Sequence, residues 1–304
     1  MESTVRLNHV GISVPDAEIT ADYYERFLGQ AITSRQGRNV IFMSGRPGLK
    51  HHELSIFKDT PKLRHNAFEV DSISELRQIR EGAVAAGVPI EMTVDRGSLL
   101  SVLFRDPDGN LVEACWTTGS LAEHPNRPLD LSLSDDAILA QVAASDPKGT
   151  ETDRPRLGHI AVYSPQPALL ADWYCRLLGF QPNGGGSHPV AGEIRFVKSP
   201  VSDWDHEVAF LSNPQMAHHA FEVASLADLK QLNAKAKASG TRINMEVTHG
   251  ISLSFYSMDP AGNQVEIYWR TGLAWPQPFA EPIDLSLPEE DLMERVHGAA
   301  TATT

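Results

Sequence analysis

Short apolar runs, alternating with polar positions or bounded by glycine and proline, divide the chain into strand and helix signals. Leu7 to Val14 reads as a buried strand. Ala17 to Leu28 has helical spacing, with Ile19, Tyr23 and Phe27 on one face, and Gly29 supplies the stop. Val40–Met43 and Glu53–Phe57 read as strands. The order then restarts with a strand over His65–Val70. A helix follows from the capping-box-like Ser72-Ile73-Ser74-Glu75, with Ile73, Leu76, Ile79 and Val84 as its buried stripe and Gly87 at its end. Strands come next at Ile90–Val94, Leu99–Arg105 and Leu111–Trp116, the last two joined by the turn signal Asp106-Pro107-Asp108-Gly109-Asn110. The pattern predicts an α+β fold of strand–helix–three-strand (βαβββ) units, two in this half of the chain.

The second half repeats the first. Ala21-Asp22-Tyr23-Tyr24 and Leu28-Gly29 return as Ala171-Asp172-Trp173-Tyr174 and Leu178-Gly179, at an offset of 150 (171 minus 21). Ala67-Phe68-Glu69-Val70 returns as Ala220-Phe221-Glu222-Val223, at 153 (220 minus 67). So does Asp106-Pro107-x-Gly109-Asn110-x-Val112-Glu113 as Asp259-Pro260-x-Gly262-Asn263-x-Val265-Glu266. A period this long is a domain rather than a solenoid unit. We expect a first domain over 1–144, a linker over 145–155 built on Ser145-Asp146-Pro147-Lys148-Gly149, and a second domain over 156–297.

Composition narrows the classes. With 304 residues there is room for two cores. A net charge of −13 disfavours nucleic acid. No apolar run is long enough to span a membrane, and the N-terminus lacks a signal-peptide pattern, so a cytoplasmic location is expected. Cys115 and Cys175 suggest no disulfide framework and read as small apolar groups.

The repeat also carries chemistry. His159, His218 and Glu266 in the second half match His9, His65 and Glu113 in the first. The step from second histidine to glutamate is 48 residues in each (266 minus 218, and 113 minus 65). Two imidazoles and a carboxylate around one point form a facial triad suited to a redox-capable divalent ion. A lone histidine on an apolar strand is more often a satisfied core residue; the doubled set changes that. The plainer alternative for Glu266 is a salt bridge to an arginine. His219 competes with His218, but its counterpart is Asn66 and it points to the opposite strand face, so a structural role is expected. His51, His124, His188 and His297 are left as surface residues.

Gly158-His159-Ile160, Ala217-His218-His219-Ala220-Phe221 and Asp259-Pro260-Ala261-Gly262-Asn263-Gln264-Val265-Glu266, in this order, resemble the vicinal oxygen chelate superfamily. Within it, the chain looks like a two-domain (type I) extradiol ring-cleaving dioxygenase of the catechol 2,3-dioxygenase kind, and the resemblance covers nearly the whole chain. It implies open barrels of the glyoxalase/bleomycin-resistance/dihydroxybiphenyl dioxygenase type. It implies Fe(II), with Mn(II) compatible with the same ligands, and an aromatic diol and O2 as reactants. Homo-oligomers are common in such proteins. It also implies a proton donor toward oxygen in His206, and hydrogen bonds to substrate oxygens from His249 and Tyr256. Relatives that cleave hydroquinones or isomerise glutathione adducts define a second reading, and non-catalytic binders of aromatic ligands a third.

The first half is an internal control. Subtracting 153 from His249 gives Arg96, and from Tyr256 gives Leu103, while His52 lies near the counterpart of His206. The first half therefore keeps a full ligand set but lacks two acid–base groups. This departs from the family's usual pattern, in which the N-terminal ligands are lost. We expect His9, His65 and Glu113 to mark a second, catalytically silent site, whose occupancy by metal the sequence leaves open.

Overall fold

A computed structural model describes residues 3–122, 126–142, 149 and 151–302. The first half holds β1 (Arg6–Val14), α1 (Ala17–Leu28), β2 (Ala31–Gln36), β3 (Val40–Ser44), β4 (Leu54–Lys58), β5 (His65–Glu69), α2 (Ile73–Ala85), β6 (Ile90–Asp95), β7 (Leu99–Arg105), β8 (Leu111–Thr117), β9 (Arg127–Pro128) and α3 (Asp135–Leu139). The second half repeats this with β10 (Arg156–Tyr163), α4 (Pro167–Leu178), β11 (Gln181–His188), β12 (Gly192–Lys198), β13 (Val208–Leu211), β14 (His218–Glu222), α5 (Leu226–Ser239), β15 (Ile243–Thr248), β16 (Ser252–Met258), β17 (Gln264–Arg270), β18 (Glu281–Pro282) and α6 (Glu289–Ala302). Each half closes into one nine-stranded sheet. Their orders correspond strand for strand: β2-β3-β4-β1-β5-β8-β7-β6-β9 and β11-β12-β13-β10-β14-β17-β16-β15-β18. Part of the expected linker (145–148 and 150) lies outside the described residues. Among the described residues no helix is long and apolar enough to cross a membrane.

Helix α1 starts where Asp16 accepts the Glu18 and Ile19 amides and ends at Gly29, whose φ of 73° is the left-handed cap that glycine adopts most easily. Its buried face differs from the expected one. Tyr24, Ala17, Ala21 and Leu28 point inward, whereas Ile19 is 58% exposed. Val84 of α2 is likewise 55% exposed, because Ala83 continues the inward 73–76–79 spacing.

The helices lock the two sheets to each other. Tyr24 and Phe27 of α1 pack on Phe221 and Phe255 of the second sheet, and Tyr174 and Trp173 of α4 pack on Phe68 and Phe104 of the first. Inside this apolar layer the Tyr24 hydroxyl meets His219 Nε2 at 2.6 Å, and the Tyr174 hydroxyl donates to Asp106 at 3.1 Å. His219 is thus the structural residue its strand face predicts. Buried hydroxyls with partners tie down an interface that apolar contact alone would leave free to slide.

Candidate metal centre and its N-terminal counterpart

Strand register explains why distant residues converge. In the second sheet His159, Ala220, Glu266 and Tyr256 stand side by side across β10, β14, β17 and β16. Ala220 is fully buried, and its single methyl leaves space above it for the long side chains on either side. His218, two residues earlier on β14, faces the same way. A register shift between Leu157 and His159 marks a β-bulge, a device that re-aims a side chain. The first sheet builds the same row from His9, Ala67, Glu113 and Leu103, with a bulge before His9 and His65 two residues ahead of Ala67.

In the C-terminal site His159 Nε2 lies 2.9 Å and His218 Nε2 3.0 Å from the same Glu266 oxygen, Oε2. Only the first contact has hydrogen-bond alignment; His218 Nε2 is left without a partner. His218 Nδ1 donates to the Met216 carbonyl at 2.7 Å, and a carbonyl can only accept, so a neutral His218 presents a bare lone pair at Nε2. The three groups offer ligand atoms within 4.8 Å of one another. Burial alone would push the Glu266 carboxyl up, but the adjacent His159 and His218 rings outweigh it and hold it well below its ordinary range. Burial lowers His159 to about 4, against the opposing pull of Glu266. A buried carboxylate beside two imidazoles is the donor set a divalent transition metal accepts.

The three acid–base candidates surround this centre. His206 is buried, not on an exposed loop. Its ring centroid is 4.7 Å from that of His159, and its Nδ1 is 3.0 Å from Asp205. Tyr256 sets its ring at 82° to that of His218, centroids 5.2 Å apart. The Tyr256 hydroxyl lies 3.1 Å from His249 Nε2, and His249 Nδ1 donates to the Phe279 carbonyl at 2.7 Å. That second bond fixes the tautomer, so Nε2 accepts and the tyrosine donates. Burial lowers His249, and burial with the Glu266 charge pushes the Tyr256 hydroxyl well up. Near neutral pH the pair is therefore a neutral imidazole and an intact phenol. The 275–282 segment braces it: Gln277 donates to the His249 carbonyl at 2.8 Å, and Trp275 packs on Gly250, where a Cβ would meet the indole at 2.4 Å.

Several participants were not singled out from sequence. Tyr268 places its ring 4.9 Å from His159 and stacks on Trp204, while its hydroxyl and His159 Nδ1 are both buried without partners. Its space exists because residue 158 is glycine; a Cβ there would lie 2.0 Å from the hydroxyl. Asp205 and Phe279 act by fixing histidine protons. The period-two face shared by Glu266 and Tyr268 is a signal for the tyrosine, and the apolar Trp275, Pro276 and Phe279 after the last strand are one for the segment that carries Phe279; nothing local points to Asp205.

The N-terminal site assembles the same ligands with other neighbours. His52, rather than an approximate neighbour, is the true counterpart of His206: the strand pairs Val10/Leu54 and Ile160/Val208 place both two residues ahead, and the His52 ring lies 4.1 Å from that of His9. Arg96 stands where His249 does. Its Nη1 donates to Glu113 Oε1 at 2.5 Å, and Ser101 Oγ donates to the same oxygen at 2.6 Å. The arginine salt bridge considered for Glu266 is thus formed by Glu113. His51, expected at the surface, is buried against Phe42 and His52; His124 lies outside the described residues. A crevice of about 960 Å³ between the sheets reaches one ligand of each site, His65 and His218, but none of His206, His249 or Tyr256.

The model of the Glyoxalase/Bleomycin resistance protein/Dioxygenase superfamily matches residues 6–114 and 156–267, most of the chain and both copies of the repeat. The protein belongs to this superfamily. Among its relatives is a metapyrocatechase of Geobacillus stearothermophilus, 23% identical over 291 residues that make up 91% of this chain and 84% of that protein. Two solved structures share the fold. A catechol 2,3-dioxygenase superposes with a TM-score of 0.69 at 21% identity, covering 93% of this chain and 94% of its own. The Mn(II)-bound glyoxalase of Novosphingobium aromaticivorans gives 0.67 at 20% identity, covering 94% and 86%. The two-domain α+β fold of this superfamily, with paired βαβββ modules, is therefore the architecture of this protein.

Proposed function

We propose that this protein is an Fe(II)-dependent extradiol dioxygenase, which cleaves the ring of a catechol-type diol beside its hydroxyls. The observation that carries the reading is the His249–Tyr256 pair, set beside the His159/His218/Glu266 centre and missing from the otherwise matching N-terminal site. The relatedness to a metapyrocatechase along 91% of the chain supports the same class.

The donor set fits a divalent iron: two imidazoles meeting one oxygen of a buried carboxylate, with no other protein donor among the described residues closing the remaining positions. His159, His218 and Glu266 would hold it. When bound, it supplies the means to bring a catecholate and O2 together and pass charge between them. Mn(II) suits the same ligands.

The chain's own groups handle protons. Tyr256 O–H is placed to donate to a catecholate oxygen. As a diol hydroxyl loses its proton, Tyr256 can take it at oxygen while releasing its own to His249 Nε2, which has a free lone pair because Phe279 holds Nδ1–H. His206, ring to ring with His159, has Asp205 on Nδ1, so its Nε2 can take up a proton released by the diol and deliver it where oxygen is reduced. The overall reaction balances without an external reductant. One ring C–C bond breaks, both atoms of O2 enter the product as a carboxylate and a carbonyl, and the substrate supplies all four electrons.

The test is anaerobic loading with Fe(II), then catechol and air. We expect one O2 consumed per diol and a yellow ring-opened product. No oxygen uptake across catechol, a biphenyl diol and hydroquinone would sink the reading. Uptake with hydroquinone alone would transfer the protein to the hydroquinone-cleaving branch, and metal-dependent isomerisation of a glutathione adduct to the glyoxalase branch, whose Mn(II)-bound member shares the fold.

A further inference from the structure

The N-terminal triad makes its own case for a ligand, independent of the reaction proposed above. The case rests on where protons can be. His65 Nδ1 donates to the Leu63 carbonyl at 2.7 Å, so the proton of a neutral ring is spent there. Asn8 Nδ2 donates to Glu69 at 2.9 Å, which turns the amide oxygen toward His9, where it accepts from Nδ1 at 2.7 Å. Both Nε2 atoms are then bare lone pairs, yet they stand only 2.9 Å apart. The third lone-pair carrier is Glu113. Its Oε1 is taken by Arg96 and Ser101, while Oε2 is buried without a partner, 3.6 Å from His65 Nε2 and 3.9 Å from His9 Nε2. Three acceptors facing one buried point with no donor between them repel one another and have lost their water. A cation at that point relieves all three.

The geometry points to a second divalent transition-metal site on His9, His65 and Glu113, weaker than the C-terminal one because Arg96 shares the Glu113 carboxylate. The fixed guanidinium charge neutralises part of the donor set and repels the ion at short range. His249, the counterpart of Arg96, touches Tyr256 instead and puts no fixed charge on Glu266. The N-terminal ion is a tie between β1, β5 and β8 rather than a reaction centre, since Leu103 replaces the phenol of Tyr256.

The experiment is a titration of the full chain with Mn(II), reading free ion by electron paramagnetic resonance. We expect two ions per chain, with dissociation constants at least about tenfold apart. His65→Ala should remove only the weaker and His218→Ala only the tighter. Arg96→Gln should tighten the weaker site by about tenfold or more and leave the other unchanged. His9→Gln repeats the His65 test at the other ring, and the intact tight site in each N-terminal variant reports that the chain has folded. A single ion per chain, insensitive to His65→Ala and His9→Gln, would overturn the proposal and leave a shared proton between the rings. An unchanged second site in Arg96→Gln would overturn the role of the arginine. Two ions without ring cleavage would sink the dioxygenase reading alone, and ring cleavage with one ion would sink this inference alone.

Discussion

Two sites in one chain share a backbone plan, three candidate ligands, the alanine in their row and a buried histidine beside them, yet differ in what surrounds the carboxylate. In the second sheet one Glu266 oxygen sits within 3.0 Å of both histidines, and the next position in the row is a tyrosine paired with a histidine. In the first, Glu113 is held by an arginine and a serine, the histidines crowd each other, and the next position is a leucine. The ligand row is a property of the sheet register, which both halves have. The pair to which we assign proton handling occupies two positions, one on β16 and one in the turn before it, where the first half has Leu103 and Arg96 instead. The repeated triad offers two candidate metal sites, and the unrepeated neighbours are the ground on which we assign the chemistry to one of them.

The strongest way to break this comparison is to remove one ligand from each site. His218→Ala should lower kcat/KM for catechol by at least about a thousandfold, the scale of metal-supplied charge stabilisation. His65→Ala should leave it within about twofold. Steady-state oxygen uptake on iron-loaded protein decides, and equal losses would mean that the sites are not distinct in role. Next in size is the acid–base pair. Tyr256→Phe should cost about a hundredfold or more in kcat with iron content unchanged, because a general acid–base group contributes on that scale. Leu103→Phe, at the matching N-terminal position, should leave kcat unmoved. If Tyr256→Phe lost its iron instead, the tyrosine would be a support for the ligands and not a proton carrier.

The smallest effect concerns the glutamates that follow His52 and His206. Glu53 has Arg46 at 2.5 Å. Glu207 accepts the Leu7 amide from the other sheet, and burial pushes its carboxyl up to about 7 from an ordinary 4.5. A folded-state value above the unfolded one means that the folded chain keeps a proton the unfolded chain gives up between pH 4.5 and 7. Stability should then decline as pH rises through that window, by at most about 3 kcal/mol. Urea midpoints at pH 5, 6, 7 and 8 should show the decline flattened in Glu207→Gln. In Glu53→Gln it should remain, displaced downward by about 1–3 kcal/mol for the lost charged hydrogen bonds. Parallel curves for Glu207→Gln and the unaltered protein would remove Glu207 as the cause.

Much of this was legible along the chain because its carriers are local or periodic. Helix α1 was bounded correctly by Ala17 and the stop at Gly29, and the strands of both ligand rows follow from alternation. What escaped notice has a common cause. Strands β2 and β11 carry too few apolar residues to announce themselves, the latter being Gln-Pro-Asn-Gly-Gly-Gly-Ser-His, and exist because β3 and β12 offer edges to pair with. Ile19 and Val84 fit a helical stripe, but which stripe is buried depends on what the helix packs against.

The sequence alone determined the doubled fold, the two ligand sets and the positions where the halves differ, because these are matters of spacing and identity. Only the tertiary structure decided what those differences do. Arg96 reads as a missing histidine until β7 and β8 bring it to Glu113; Tyr268 shares a strand face with Glu266, but it is the absence of a side chain at Gly158 that admits it beside His159. Proton positions belong to the same class. The tautomers of His9, His65, His218 and His249 are each set by a carbonyl or amide oxygen brought against Nδ1, for His249 by Phe279 thirty residues on, and that partner is what leaves Nε2 as the free lone pair.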